Sequence, residues 1–124
     1  MLKLLSRFTE PAYTLTRIVV GAAFAEHGAQ KLLGLLGGHQ VPLFSLTGLA
    51  GVIELGCGVL VALGLLTSYA ALLASGEMAV AYFRSHAPAG FWPIQNRGEL
   101  AVVYCFIFLF IATRGGGRWV LSRK

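Results

Sequence analysis

Glutamate supplies every acidic side chain in this sequence: Glu10, Glu26, Glu54, Glu77 and Glu99, with no aspartate. Glu54, Glu77 and Glu99 lie within or at the edge of strongly apolar runs, and His27, Lys31, Tyr82, His86 and Asn96 interrupt or border the same runs. In low dielectric, carboxyl and imidazole groups exchange protons near neutral pH. Such a set suits a redox carrier whose reduction consumes protons, such as a quinone. It suits a proton relay in a transporter equally well. The alternative is structural: buried polar groups hold helices together, with Lys31 or Arg17 paired to Glu54 or Glu77. His27 and His86, on different helices, are the residues placed to ligate haem or a metal. A lone histidine is more often a hydrogen-bonded partner, so no metal is expected and haem is disfavoured. Cys57 and Cys105 stand alone in apolar runs without a C-x-x-C motif, which excludes a zinc or dithiol site and marks them as packing residues. His39, in a glycine-rich loop, reads as solvated.

The elements that position these groups follow from composition. Of the 124 residues 56% are hydrophobic and 12% charged, about half the usual soluble share of roughly 25%. A soluble domain this small cannot cover its surface with so few charges. Mean hydropathy is +0.74 and the pI about 9.7. The ten Lys and Arg form no basic stripe, so nucleic acid is not a partner; the lipid bilayer is. Apolar runs cover Ala12 to Leu33, Leu46 to Leu66, Ser68 to His86 and Gly98 to Thr113. At about 1.5 Å per residue the first three approach the ~30 Å of a hydrocarbon core; the fourth is short. Period-2 alternation is absent, and lipid admits only helices or closed barrels. The prediction is an all-α integral membrane four-helix bundle, one domain over residues 1–124.

Gly34, Gly37, Gly38 and Pro42 break the chain after the first helix, and Leu66-Thr67-Ser68 makes the second and third antiparallel neighbours. Pro88, Gly90 and Pro93 separate the last two, where Phe91 and Trp92 suit the headgroup level. Two small-residue stripes on the second helix predict tight packing: Ala50, Gly58 and Ala62 beside Glu54, and Gly48, Gly56 and Gly64. Lys3, Arg7, Arg17, Arg114, Arg118, Arg123 and Lys124 outweigh Lys31, Arg84 and Arg97, which predicts cytoplasmic termini. Glu10, Pro11 and Arg17 interrupt any signal-peptide core. Aligned by depth, Glu26, His27, Gln30 and Lys31 fall in the outer third, Glu54 and Glu77 near the middle, and Tyr82, His86, Asn96 and Glu99 further out. The polar set therefore converges on the middle and outer half, while Arg17, near the inner end, is expected to snorkel.

The stretches Arg17-Ile-Val-Val-Gly21 and Phe24-Ala-Glu-His27-Gly28-Ala-Gln-Lys31-Leu32 resemble the first-helix signature of the DoxX family. Gly51-Val-Ile-Glu54-Leu-Gly56, Leu63-Gly64-Leu65-Leu66-Thr67, Glu77-Met78-Ala79-Val80-Ala81-Tyr82 with His86, Pro88 and Gly90-Phe91, and Asn96-Arg97-Gly98-Glu99 extend the resemblance from Arg17 to Gly117. Glu26 and Arg97 depart from the pattern and add charge at the outer end. The resemblance implies a bacterial inner-membrane protein with four crossings, linked to thiosulfate:quinone oxidoreductase or to thiol and superoxide defence against oxidative stress. In the reading it favours, a quinone or similar lipophile binds among His27, Lys31, Glu54, Glu77, Tyr82, His86, Asn96 and Glu99. There the Glu and His side chains exchange protons and Lys31 stabilises a developing oxyanion. The electron donor is then a partner, because no flavin fingerprint or cluster ligands are present. The competing reading is a non-catalytic anchor that recruits a membrane or peripheral partner enzyme. A transporter requires alternating access, for which four short helices leave little room without homo-oligomerisation.

Overall fold

Pro11 has no amide hydrogen to give, and it stands where a helix has no use for one, in the first turn. The first long helix accordingly starts ahead of Ala12. In the computed structural model, which describes residues 1–122, a short α1 (Leu2–Ser6) leads into α2 (Thr9–Leu33), closed by Gly34 in the left-handed region at φ 67°. Arg123 and Lys124, counted above among the tail charges, lie outside the described residues. Ser45 caps α3 (Leu46–Leu63) by accepting the Gly48 amide at 3.0 Å. The helix ends before the expected Leu66 because Gly64, at φ 76°, turns left-handed, and the Gly64 and Leu65 amides return to the Leu60 carbonyl.

Helix α4 (Thr67–Ala81) continues as a π-helical turn over Tyr82–His86 and a 3-10 turn over Ala87–Ala89. A short α5 (Pro93–Asn96) and left-handed Arg97 lead into α6 (Glu99–Arg114). The described residues are thus all-helical in their regular structure. Among the described residues one helix, Leu46–Leu63, is by itself long and apolar enough to cross a membrane. The other three long helices fall short for identifiable reasons. Arg17, Glu26 and Lys31 dilute α2. At about 1.5 Å per residue, the 15 residues of α4 and 16 of α6 reach only about 23–24 Å.

Backbone proximity pairs α2 with α3, antiparallel. A Cβ on Gly21 would lie 2.6 Å from the Ala62 amide nitrogen, and one on Gly58 would lie 2.6 Å from the Gly21 carbonyl oxygen. The Gly58 and Ala62 stripe is therefore a packing face. The Gly48, Gly56 and Gly64 stripe is not, since Gly56 faces open space, Gly48 meets the Pro42–Leu43 loop and Gly64 is a helix cap. Helices α4 and α6 form a second pair, tied by the Ser75 hydroxyl donating to the Cys105 carbonyl at 2.8 Å. Phe24 of α2 fits between Tyr104 and Phe108 of α6, with ring centroids 5.3 and 4.7 Å away. These rings hold the two pairs apart at aromatic distance. Cys57 is buried in this core and Cys105 is half-buried beside Ser75.

The end holding the termini is closed by Arg17, which does not snorkel. It is 2% exposed and donates to the carbonyls of Gly116 (2.5 Å), Trp119 (2.9 Å) and Ala62 (3.3 Å). Carbonyls at a helix end have no partner within the helix, and the guanidinium supplies one for α3 while fastening the tail. Tyr13 donates to the Gly115 carbonyl at 2.6 Å, and Glu10 pairs with Arg114 alongside.

The glycine contact gives a direct test. Gly58→Leu places a side chain inside the α2 backbone and is expected to cost about 3 kcal/mol or more. Gly56→Leu meets nothing and should stay within about 0.5 kcal/mol of wild type. Unfolding in mixed detergent micles, followed by circular dichroism, compares them; equal stabilities would contradict this packing.

Candidate functional site

Two antiparallel pairs of helices fix which residues share a level. Opposite Gly28 on α2 stands the stretch Gly51 to Leu55 on α3, and Ser75 on α4 stands opposite Cys105 on α6. His27, Glu54, Glu77 and Tyr104 thus reach one layer, and all four line a cavity of about 1010 Å³. The cavity opens between α3 and α4, the two helices joined by the tight Gly64–Leu66 turn. Its walls are mostly apolar, from Leu49 and Ile53 on one side to Leu72, Leu73 and Val80 on the other.

Glu54 is 1% exposed and lies 2.7 and 2.9 Å, through its two oxygens, from the Lys31 ammonium. The Lys31 side chain is 31% exposed, so its stem spans from α2 into the layer while its head remains near the cavity. Glu77 differs. Its carboxyl lies beside that of Glu54, and its Oε1 is buried with no hydrogen-bond partner. A buried polar atom left without a partner costs roughly 1–3 kcal/mol. His27 meets the edge of Tyr104 at 6.0 Å and 90°, and Tyr104 stacks on Phe108 at 5.8 Å.

The remaining sequence-derived candidates sit at the far end. Asn96, 6% exposed, donates to the Gly90 carbonyl at 2.6 Å and the Tyr82 hydroxyl at 3.0 Å, and accepts the Gly98 amide at 2.8 Å. Tyr82 in turn donates to the Phe91 carbonyl. His86 Nδ1 lies 3.2 Å from the Asn96 carbonyl, which can only accept, so this nitrogen carries the proton there. The network seals the loop between α4 and α6. Of its members His86 borders the cavity, while Tyr82 and Asn96 stand behind it. Glu99 is exposed and lies outside the cavity lining, and Glu26 is exposed as well. Tyr104, Arg84 and Arg97 line the cavity although the sequence reading did not place them in the site. A hydroxyl-bearing ring four residues before Phe108 was the available signal for Tyr104. For the arginines, topology absorbed their charge. Among the described residues, no group of three or more His, Cys, Asp or Glu side chains converges to hold a metal ion.

Removing either partner of the ion pair has unequal consequences. Lys31→Met leaves a sealed carboxylate alone and is expected to cost roughly 3 kcal/mol. Glu54→Gln leaves an ammonium that still reaches water and should cost about half as much. Micellar unfolding of both variants and their double mutant measures the difference. Equal costs that simply add would show that the pair does not act as one.

A family model for DoxX matches residues 12–87. An uncharacterized protein of Haemophilus influenzae is 40% identical over 115 residues, covering 87% of this chain and 86% of its own. An uncharacterized membrane protein of Mycobacterium tuberculosis is 32% identical over 134 residues, covering 92% of this chain and 81% of its own. No solved structure matches significantly. The family match spans helices α2 to α4 with the π-turn, and so contains Lys31, Glu54 and Glu77; this membrane-associated chain belongs to the DoxX family.

Proposed function

We propose that the protein crosses the bacterial inner membrane with its four long helices, termini in the cytoplasm, and binds a quinone or similar small lipophile in the α3–α4 cavity. The crossing is supported by the apolar outer surface, where Leu15, Val19, Leu72, Phe106 and Phe110 are exposed. Short α4 and α6 are accommodated by local thinning of the bilayer. The observation that carries the ligand reading is Glu77: it lines a large cavity with apolar walls and holds a buried carboxyl oxygen without a partner.

A quinone supplies a two-electron, two-proton acceptor, with the electrons drawn from a reduced partner protein of an oxidoreductase complex. The chain's own residues handle the protons. Glu77 donates one proton to a ligand oxygen in the cavity, while Glu54 stays ionised against Lys31. His27 and His86, which line the same cavity, offer further exchangeable protons. Lys31 spends two contacts on Glu54 and keeps one N–H to stabilise a developing oxyanion. The lipophilic part rests against Phe24, Ile53 and Ala101.

A second reading, a non-catalytic anchor whose buried charges serve packing, is favoured by one observation. The Lys31–Glu54 pair joins α2 to α3 without needing a ligand.

An optical difference spectrum, oxidised minus dithionite-reduced, on nanodisc-held protein freed of bulk quinone separates the two. One quinone per cavity is expected, with quinone-dependent turnover in the complex falling roughly 10²-fold or more in Glu77→Gln. A flat spectrum from protein loaded with ubiquinone or menaquinone and then washed free of the unbound excess, or unchanged turnover in Glu77→Gln, would favour the anchor.

A further inference from the structure

The cavity is polarised in a way that proton exchange at its floor does not use. Its outer rim carries Arg84, exposed on the π-turn, and Arg97, exposed ahead of α6. Arg97 holds a left-handed backbone at φ 62°, a conformation costly for any residue but glycine or asparagine. The chain reverses there under the Asn96 network, and the reversal sets Arg97 on the rim. The ion pairs among the described residues are Lys31–Glu54 and Arg114–Glu10, so neither rim arginine has a carboxylate partner. Below them the cavity is a groove between α3 and α4, walled by Leu49, Leu72 and Leu73, all exposed on the bundle's outer surface. Gly76 lies in that groove, and a Cβ added there would meet no atom within 4 Å.

We propose that this rim and groove form a site for a membrane lipid with an anionic phosphate headgroup. Arg84 and Arg97 hold the phosphate, for which the guanidinium fork is well matched. An acyl chain lies in the groove over Gly76. Cations at one end and an exposed apolar channel beneath are the complement of an acidic amphiphile. A zwitterionic lipid would bring its own ammonium against the two arginines. The inference rests on the bundle crossing the bilayer, but not on a quinone as the deeper ligand.

Native mass spectrometry of the full chain in mild detergent tests it, with phosphatidylglycerol and phosphatidylcholine of equal chain length. Glycerol phosphate serves as the soluble headgroup. Wild type should retain phosphatidylglycerol in preference to phosphatidylcholine. The preference should fall about fivefold in Arg84→Gln or in Arg97→Asn, and roughly thirtyfold in the double variant. Asparagine at 97 tolerates the left-handed backbone, so the fold survives. Gly76→Leu fills open space, leaves the circular dichroism unchanged, and should displace the lipid by occupying its groove. Equal retention of both lipids, a preference that outlives both arginines, or full binding in Gly76→Leu would each overturn the proposal. Glycerol phosphate competing as well as the lipid would also overturn it, because the groove would then add nothing. Carbonate washing of membranes separates the two failures. Release of the chain would refute the crossing on which the site depends, whereas a retained chain without lipid preference refutes this site alone.

Discussion

A carboxylate sealed between apolar helices is tolerated only with a counter-charge in reach, and at Glu54 that charge is Lys31. The pair constrains how α2 and α3 rotate against each other, since both oxygens of Glu54 must meet one ammonium. Gly21, Gly28 and Gly58 then allow the backbones close enough for the pair to form. The cost of burying either charge alone is several kcal/mol, so glycine contact and ion pair support each other. With Lys31 committed, the neighbouring Glu77 is left without a hydrogen-bond partner on Oε1. The polarity of the cavity floor follows from that division.

The two ends are tied down by different means, and the middle is left open. At the end with the termini, buried Arg17 binds three carbonyls from α3 and the tail, and the Leu121 amide bonds to the Leu63 carbonyl at 3.2 Å. At the far end, Asn96 ties Gly90, Tyr82 and Gly98 into one loop. The π-turn over Tyr82–His86 re-aims the residues that follow α4, a device common at functional positions. Between these ends large rings separate α2 from α6, and Gly76 and Ala50 leave the α3–α4 groove unfilled. The cavity is thus a consequence of small residues facing each other where two tightly packed pairs meet.

The order, type and approximate limits of the long helices were legible because apolar runs and Gly or Pro breaks mark them directly. Alignment by depth set Glu54 and Glu77 near the middle and His27 and Lys31 in the outer third, whereas the Lys31–Glu54 pair joins the two levels. What it could not resolve was direction around each helix axis. Tyr82 and Asn96 share the expected height, yet they face the loop network rather than the cavity. Glu99 shares the height of the rim and faces outward. Arg17 misled for a different reason. Its partners are main-chain carbonyls from residues 62, 116 and 119, which carry no side-chain signature. The second small-residue stripe failed likewise, because four-residue spacing identifies a face but not what the face meets.

The proposed quinone site depends on Glu77 exchanging a proton with its ligand, and vibrational spectroscopy observes that proton most directly. In a redox-induced infrared difference spectrum of the quinone-loaded protein, reduction should change a carboxyl C=O band. The band should shift in deuterium oxide, vanish in Glu77→Gln and persist in Glu99→Gln. A spectrum with no carboxyl band, or one whose band survives in Glu77→Gln, would contradict the account.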